Sequence, residues 1–167
     1  MADIVLVRID SRLIHGQVGT YWANNKKAER IVVIDDESYN SPLLKKILLM
    51  AKTASGCRNE VYSIEEAAKL WNENQFGSGR VMVILKNIPS ASKVYDLGFK
   101  FTELQIGGLP GAPGKKNVHG PIALDDNDAA LLENLNKQGV DIKFWVIPDE
   151  SNESWESVRN KHYPNLK

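Results

Sequence analysis

The chain has 167 residues, of which 43% are hydrophobic, and its 21 Lys and Arg residues balance its 21 Asp and Glu residues. This length suits one hydrophobic core and is short for two, so we expect a single domain over residues 1–167. The hydrophobic content excludes a disordered chain, and the zero net charge argues against nonspecific nucleic-acid binding, which needs a basic surface.

Cysteine usage and hydropathy indicate the compartment. Cys57 is the only cysteine, so an internal disulfide and a zinc site of several thiolates are both excluded. The opening segment MADIVLVRID has early acidic residues and a short apolar run, unlike a signal peptide or an anchor. No stretch approaches the ~18 to 20 apolar residues of a membrane span. We therefore expect a reduced, cytoplasmic setting.

Apolar runs typical of buried strands alternate with amphipathic stretches over the first two thirds of the chain. The predicted elements are a strand at 4–7, a helix at 16–28, a strand at 31–34, a helix at 43–54, a strand at 60–62, a helix at 63–71, a strand at 81–85, a helix at 89–98 and a strand at 104–106. Pro42 suits the first turn of the second helix. Ser63, with Glu66 three residues on, forms a capping box for the third.

The pattern changes after residue 106. Residues 107–114 are too rich in Gly and Pro for regular structure. Further elements are a strand or hairpin at 117–123, a helix from Asp125 or Asp126 to 138 with Gly139 as its stop, a strand at 143–147 and a helical tail at 151–161. The alternation predicts an α/β three-layer sandwich with a mostly parallel central sheet, helices on both faces and a small antiparallel addition toward the C-terminus.

Ligands of such sheets bind beyond the carboxyl ends of the strands. The loop after the first strand combines five residues with a use in phosphate chemistry. Histidine is a competent nucleophile when neutral, and Asp10 is suited to hold one ring nitrogen of His15 so that the other attacks. Arg8 and Arg12 offer planar donors to phosphate oxygens. Gly16 lies at the predicted start of a helix, where free backbone N–H groups favour the binding of an anion. The loop thus suits a phosphohistidine.

A structural explanation of the same residues competes with this one. A single histidine after an apolar pair is more often packed or capping than nucleophilic, and both arginines have acidic neighbours with which to pair. On spacing alone, the two interpretations are evenly balanced.

Residues 8–18, with the pattern Arg-Ile-Asp-x-Arg-Leu-Ile-His-Gly-Gln-Val, resemble the active-site loop of one protein family. It comprises the IIB components of the mannose/fructose/sorbose family in the bacterial sugar phosphotransferase system (PTS). The resemblance continues at Trp22, 31–36, 49–51, 106–108, 114–116 and 124–139. It therefore covers nearly the whole chain, although Ser11 stands where the family often has an acidic residue.

The resemblance implies a protein-N(pi)-phosphohistidine–sugar phosphotransferase. A IIA protein would phosphorylate His15, and the phosphoryl group would pass to a sugar carried by the IIC and IID membrane subunits. Arg12 becomes the phosphate clamp, Asp10 the orienting group, and Gly16 a phosphate-binding position, with Arg8 a weaker candidate.

The resemblance also adds Asp36, Gly107 and Gly108 as residues of possible site loops. It implies a cytoplasmic protein peripherally associated with the membrane transporter, and no metal, other cofactor or nucleic acid is expected. Homo-oligomerisation stays open.

Alternatives follow from other residues. Cys57 would serve the cysteine-dependent IIB classes, but it follows a helix and not a first strand. The glycines of residues 107–114 lack the spacing of a nucleotide loop. Asp35 and Asp36 could bind a metal, but an acidic pair at this position more often simply ends a strand with polar residues. A regulatory or protein-binding module, in which phosphorylated His15 is a signal, and a flavodoxin-like redox domain remain alternative functions.

Overall fold

The computed structural model describes residues 1–16, 18–53 and 56–167. The strands are β1 (Asp3–Asp10), β2 (Arg30–Ile34), β3 (Arg58–Tyr62), β4 (Arg80–Leu85), β5 (Glu103–Gly108), β6 (Lys116–His119), β7 (Ile122–Leu124), β8 (Asp141–Phe144) and β9 (Glu153–Ser154). A π-helical turn (Val18–Trp22) precedes the helices, which are α1 (Ala23–Asn25), α2 (Asp36–Asn40), α3 (Pro42–Met50), α4 (Ile64–Asn74), α5 (Ile88–Asp96), α6 (Asp126–Lys137) and α7 (Trp155–His162).

The central sheet has the strand order β3-β2-β4-β1-β5-β8-β9. β9 pairs antiparallel with β8, and the other neighbouring strands pair in parallel. β6 and β7 form a separate antiparallel hairpin. The predicted α/β class, with a mostly parallel sheet and a small antiparallel addition, is confirmed.

Two hydrophobic cores lie on opposite faces of the sheet. The run Ile31–Ile34 in β2 is fully buried because its side chains alternate between them: Ile31 and Val33 join one core, and Val32 and Ile34 the other. Burying one such side chain is worth about 1.5–3 kcal/mol. Apolar residues of α4 to α7 cover one face. The π-helical turn, α1 and Leu48 of α3 cover the other, which makes the predicted three layers.

Side-chain caps fix where several helices begin. Ser63 accepts a hydrogen bond from the Glu66 N–H at the start of α4. Asp125 caps α6 in a reciprocal capping box with Asp128. Gly139 follows the end of α6 with φ +95°, a left-handed conformation that glycine adopts without strain.

Other boundaries differ from the prediction. Helix α2 was missed; it forms because Asp35 accepts from the Ser38 N–H, after which Ser41 caps α3. Helix α3 ends at Met50, and the predicted end at Ala54 lies outside the described residues. Of the helical tail predicted at 151–161, the part from Trp155 is confirmed as α7, whereas Glu153 and Ser154 form the short strand β9. None of the helices formed by the described residues combines the length and apolar character needed to cross a membrane.

Candidate functional site

The candidate site lies at the carboxyl end of β1, which is flanked by β4 and β5. Arg8 and Asp10 are two residues apart on β1, so their side chains project from the same face of the sheet. A turn then carries the chain across the sheet edge: the Ser11 N–H donates to the Gly108 carbonyl at 2.8 Å, and the Leu13 N–H to the Asp10 carbonyl at 2.9 Å. The turn brings His15 back over Asp10.

Asp10 and His15 form a close pair. Nε2 of His15 lies 2.9 Å from Oδ2 of Asp10, and the Arg12 N–H donates to Oδ1 of the same carboxylate at 3.1 Å. The Asp10 side chain is fully buried, whereas the His15 imidazole is 15% exposed. Among the described residues, Nδ1 of His15 has no hydrogen-bond partner. A carboxylate on Nε2 favours the tautomer whose Nδ1 carries the free lone pair.

Two opposing influences act on the Asp10 carboxyl group. Burial works to raise its pKa, because a charged group loses its hydration. The hydrogen bond with His15, together with the electrostatic interactions with His15 and with the Arg8 guanidinium, outweighs burial and lowers the pKa. Asp10 is therefore ionised at neutral pH and can stabilise positive charge on the imidazole.

Arg8 lies beneath this pair and is fully buried. Its guanidinium donates to the Gln105 side chain, to the Trp145 carbonyl at 2.7 Å and to the Val146 carbonyl at 3.0 Å, and it lies 3.4 Å from Oδ2 of Asp10. Burial lowers the pKa of Arg8 to about 10, although Asp10 works to raise it, so the group stays charged at neutral pH.

The burial of Arg8 corrects the prediction that it binds phosphate. The guanidinium is fully buried and both of its terminal nitrogens donate to protein groups, so it has no surface to offer an arriving phosphoryl group. Its contacts make it a positioning residue, because it joins β1 to Gln105 on β5 and to the segment after β8. Trp22 adds to this connection: its indole N–H donates to the Val146 carbonyl at 2.9 Å.

Gly107 and Gly108 leave the space that Arg8 and Asp10 occupy. A Cβ atom on Gly107 would lie 1.9 Å from Cζ of Arg8, and one on Gly108 would lie 2.9 Å from Oδ1 of Asp10. Both distances are far inside van der Waals contact. The structure therefore brings both glycines to the site, where they act through the absence of a side chain.

Arg12 and Gly16 lie on the outer side of the site. The Arg12 side chain is 58% exposed, with Nε 3.6 Å from Oδ1 of Asp10. A Cβ atom on Gly16 would meet no atom within 4 Å, so this chain's own packing does not demand glycine there. Both residues remain next to the open surface around His15.

The backbone around His15 is unusual on both sides. Leu13 has φ +59°, and such strained conformations of residues other than glycine cluster at functional sites. Its side chain is buried in the same core as Val18 and Trp22, which holds the strained turn. After His15, the predicted α-helix is replaced by the π-helical turn, whose Gly19 N–H donates to the His15 carbonyl at 2.8 Å. Gln17 lies outside the described residues.

No hydrogen bond or ion pair among the described residues joins Asp36 to Asp10 or His15. Asp36 follows β2, which β4 separates from β1, so the two strand ends are about 10 Å apart. Its carboxylate accepts a hydrogen bond from the Ile64 N–H at the start of α4. Among the described residues, no three His, Cys, Asp or Glu side chains are grouped as a metal site requires.

Sequence reasoning missed the partners of Arg8. The Trp145 carbonyl accepts a hydrogen bond from Arg8, and the half-buried ring of Trp145 meets Trp22 edge to face with centroids 5.1 Å apart. Gln105 carried the one usable signal, since it is a polar residue between Leu104 and Ile106 in a buried strand.

Comparison with known proteins identifies the family to which this chain is similar. The family model "PTS system sorbose subfamily IIB component" matches residues 4–166. A sorbose-specific EIIB component of Klebsiella pneumoniae is 31% identical over 89% of this chain and 90% of its own length. The mannose-specific EIIAB component of Escherichia coli K12 is 30% identical over 84% of this chain, which spans 43% of that longer protein.

Solved structures give the same result. The crystal structure of manxB from Thermoanaerobacter tengcongensis matches with a TM-score of 0.90 and 33% identity, covering 98% of this chain and 99% of that one. The IIBSor domain of the sorbose permease from Klebsiella pneumoniae matches with a TM-score of 0.87 and 28% identity, covering 96% and 99%.

Proposed function

This chain belongs to the sorbose subfamily of PTS IIB components, and we propose that His15 is the residue that carries its phosphoryl group. Relatives in this family are sugar-specific IIB components, so the chain is a phosphocarrier in sugar transport. The family favours this role over a regulatory module. The observation that carries the assignment is the 2.9 Å contact between Nε2 of His15 and the buried Asp10 carboxylate, which leaves Nδ1 as the nucleophile.

The first transfer takes a phosphoryl group from a phosphohistidine of a IIA protein. The Nδ1 lone pair of His15 attacks phosphorus in line with the leaving nitrogen; the new N–P bond forms as the donor N–P bond breaks, and its electron pair returns to the donor ring. The proton on Nε2 stays in its hydrogen bond to Asp10, whose charge stabilises the positive ring. This Nδ1 product is the N(pi) phosphohistidine.

The second transfer reverses these roles. A sugar hydroxyl held by the IIC and IID membrane subunits attacks phosphorus and releases its proton to solvent. The N–P bond breaks and returns its electrons to Nδ1, which restores the neutral imidazole with its proton on Nε2. Positioning and charge neutralisation account for most catalysis of such transfers. Arg12, at the surface, supplies planar donors to the phosphoryl oxygens. The backbone N–H of Gly16 is a further donor.

This role places the chain on the cytoplasmic side of a membrane transporter. His15 must meet two partners in turn. Its position in the loop at the carboxyl end of β1, with a partly exposed imidazole, supports that. Sorbose, mannose, fructose and N-acetylgalactosamine, named in the relatives, define the sugars to screen.

The test is transfer of radiolabelled phosphate from a phosphorylated IIA protein. His15→Ala should accept no label. His119→Ala is the matched control, because Nδ1 of His119 also lies 2.9 Å from a carboxylate, that of Glu153, but His119 lies on β6 and not on the loop after β1. We expect His119→Ala to be labelled like the parent chain. Label on the His15→Ala variant would refute the assignment.

A further inference from the structure

Helix α3 carries an exposed apolar surface that nothing in the fold covers. Leu43, Ile47 and Met50 are 68%, 56% and 69% exposed, and their spacing of four and three residues places them on one helix face. We call these three residues the α3 patch. With Leu49, α3 holds four of the seven exposed large hydrophobic side chains among the described residues. Grouped exposed apolar side chains mark interaction surfaces.

The orientation of α3 is fixed by its inward face. Leu48 is buried in the core on that side of the sheet. The Asn59 side chain on β3 donates to the Leu48 carbonyl at 3.1 Å and to the Ala51 carbonyl at 2.7 Å. A helix held in this way cannot rotate to bury the α3 patch against its own chain.

The charge around the α3 patch is basic. Lys45 and Lys46 lie on α3 and Lys52 follows it, and α3 itself contains no acidic residue. The acidic residues of α2 are engaged elsewhere: Asp36 binds the Ile64 N–H, and Glu37 binds Lys86. A partner of complementary chemistry presents an apolar surface with acidic residues around it.

The α3 patch lies on the same side of the sheet as the loop that holds His15, because Leu48 of α3 and Leu13 and Ile14 of that loop belong to one core. α2 and α3 begin at the carboxyl end of β2, and β2 runs parallel to β1 through β4, so both features start at one edge of the sheet. At the other end of α3, Lys52 and Thr53 pack against Gly19, whose Cβ position is 3.4 Å from Cγ2 of Thr53. Gly19 in turn binds the His15 carbonyl.

We propose that the α3 patch is the surface on which this chain docks to the membrane-bound protein subunits that present the sugar to His15. This inference rests on the proposed function. A stable interface buries about 800 Å² per partner, more than three side chains provide, so the partner must also cover neighbouring surface toward His15. Lasting interfaces are more apolar than transient ones, which suits a transporter subunit better than a soluble donor that must leave after each transfer.

The experiment separates the two transfers. The variant Leu43→Gln/Ile47→Gln/Met50→Gln keeps good helix formers at exposed positions. Leu97→Gln is the control, because Leu97 is 43% exposed but follows α5, on the opposite face of the sheet. Each protein is first phosphorylated by phospho-IIA in solution. Loss of label is then followed with vesicles containing the cognate IIC and IID subunits and each of the four sugars.

The triple variant should be phosphorylated within about twofold of the parent chain, yet lose label to the vesicles at least about tenfold more slowly, as expected when interface anchors are removed. Leu97→Gln should match the parent in both steps. Lys46→Glu should also slow the second step, whereas Lys69→Glu on α4 should not.

Four results would overturn the docking proposal. They are an unchanged second step in the triple variant, a loss confined to the first step, equal loss in the Leu97 control, or parent-chain binding to protein-free anionic vesicles that the triple variant loses. The last would identify lipid as the partner. Failure of the parent chain to accept label would instead refute the proposed function.

Discussion

Gly107 lies directly against the guanidinium of Arg8, at a point where a Cβ atom would come within 1.9 Å of Cζ. Arg8 in turn contacts Asp10, and Asp10 contacts His15. A glycine on β5 therefore determines where the imidazole on the neighbouring loop is held, although it touches neither the imidazole nor a phosphoryl group.

The first prediction concerns that glycine. Gly107→Ala should displace Arg8, lower the free energy of unfolding by about 3 kcal/mol, the upper range for overpacking a full site, and slow phosphorylation of His15. Urea denaturation and the labelling assay measure the two effects. Gly111→Ala is the control, since a Cβ atom there would meet nothing within 4 Å, and it should change neither quantity.

Arg8→Lys should destabilise the chain. The Arg8 guanidinium reaches four groups, whereas a lysine ammonium has only three N–H donors on one nitrogen. At least one buried group is then left unpaired, and each such group costs about 1–3 kcal/mol. We expect the free energy of unfolding to fall by about 3 kcal/mol. Arg58→Lys, at an exposed arginine paired with Glu60, should cost less than about 1 kcal/mol; an equal loss in both variants would contradict the buried role of Arg8.

Arg12→Lys should slow phosphoryl transfer while leaving the stability of the fold almost unchanged. The exposed Arg12 side chain contributes little to folding, so the free energy of unfolding should change by less than about 0.5 kcal/mol. Phosphoryl transfer should slow about tenfold, the equivalent of one lost charge-assisted hydrogen bond. Stopped-flow mixing with phospho-IIA measures this rate. Arg58→Lys, an exposed position at the start of β3, should transfer at the parent rate.

The ionisation of Asp10 predicts a specific acid response. Its pKa is lower in the folded chain than in the unfolded one, so its contribution to stability is present above the unfolded pKa of about 3.9 and is lost as pH falls through the folded pKa. Asp10→Asn lacks this contribution. The stability difference between the parent chain and Asp10→Asn should therefore be largest at neutral pH and shrink in acid.

Urea denaturation between about pH 7 and about pH 3 measures that difference. Asp96→Asn, at an exposed position at the end of α5, should track the parent chain over the whole range. A constant difference between the parent and Asp10→Asn would show that Asp10 does not stabilise the fold through its charge.

Much of the architecture could be predicted locally. The apolar run Ile31–Ile34 indicated a buried strand, and Ser63 with Glu66 indicated a helix start, because a strand's burial and a helix cap depend on residues close in the chain. The predicted ends of helices and strands were wrong where contacts between distant parts of the chain determine them. The segment after His15 forms a π-helical turn, and in it the Trp22 indole N–H binds a carbonyl 124 residues away.

The chemistry available at the site is encoded locally, because His15, Asp10 and Arg12 lie within six residues after an apolar strand. The distant groups that join them are set by the packing of strands far apart in the chain. Strand order placed β5 and β8 beside β1, which brought Gln105 and Trp145 to Arg8 and left Asp36 on the far side of β4. Local patterns specify which residues form strands, but the order of those strands depends on packing between elements far apart in the chain.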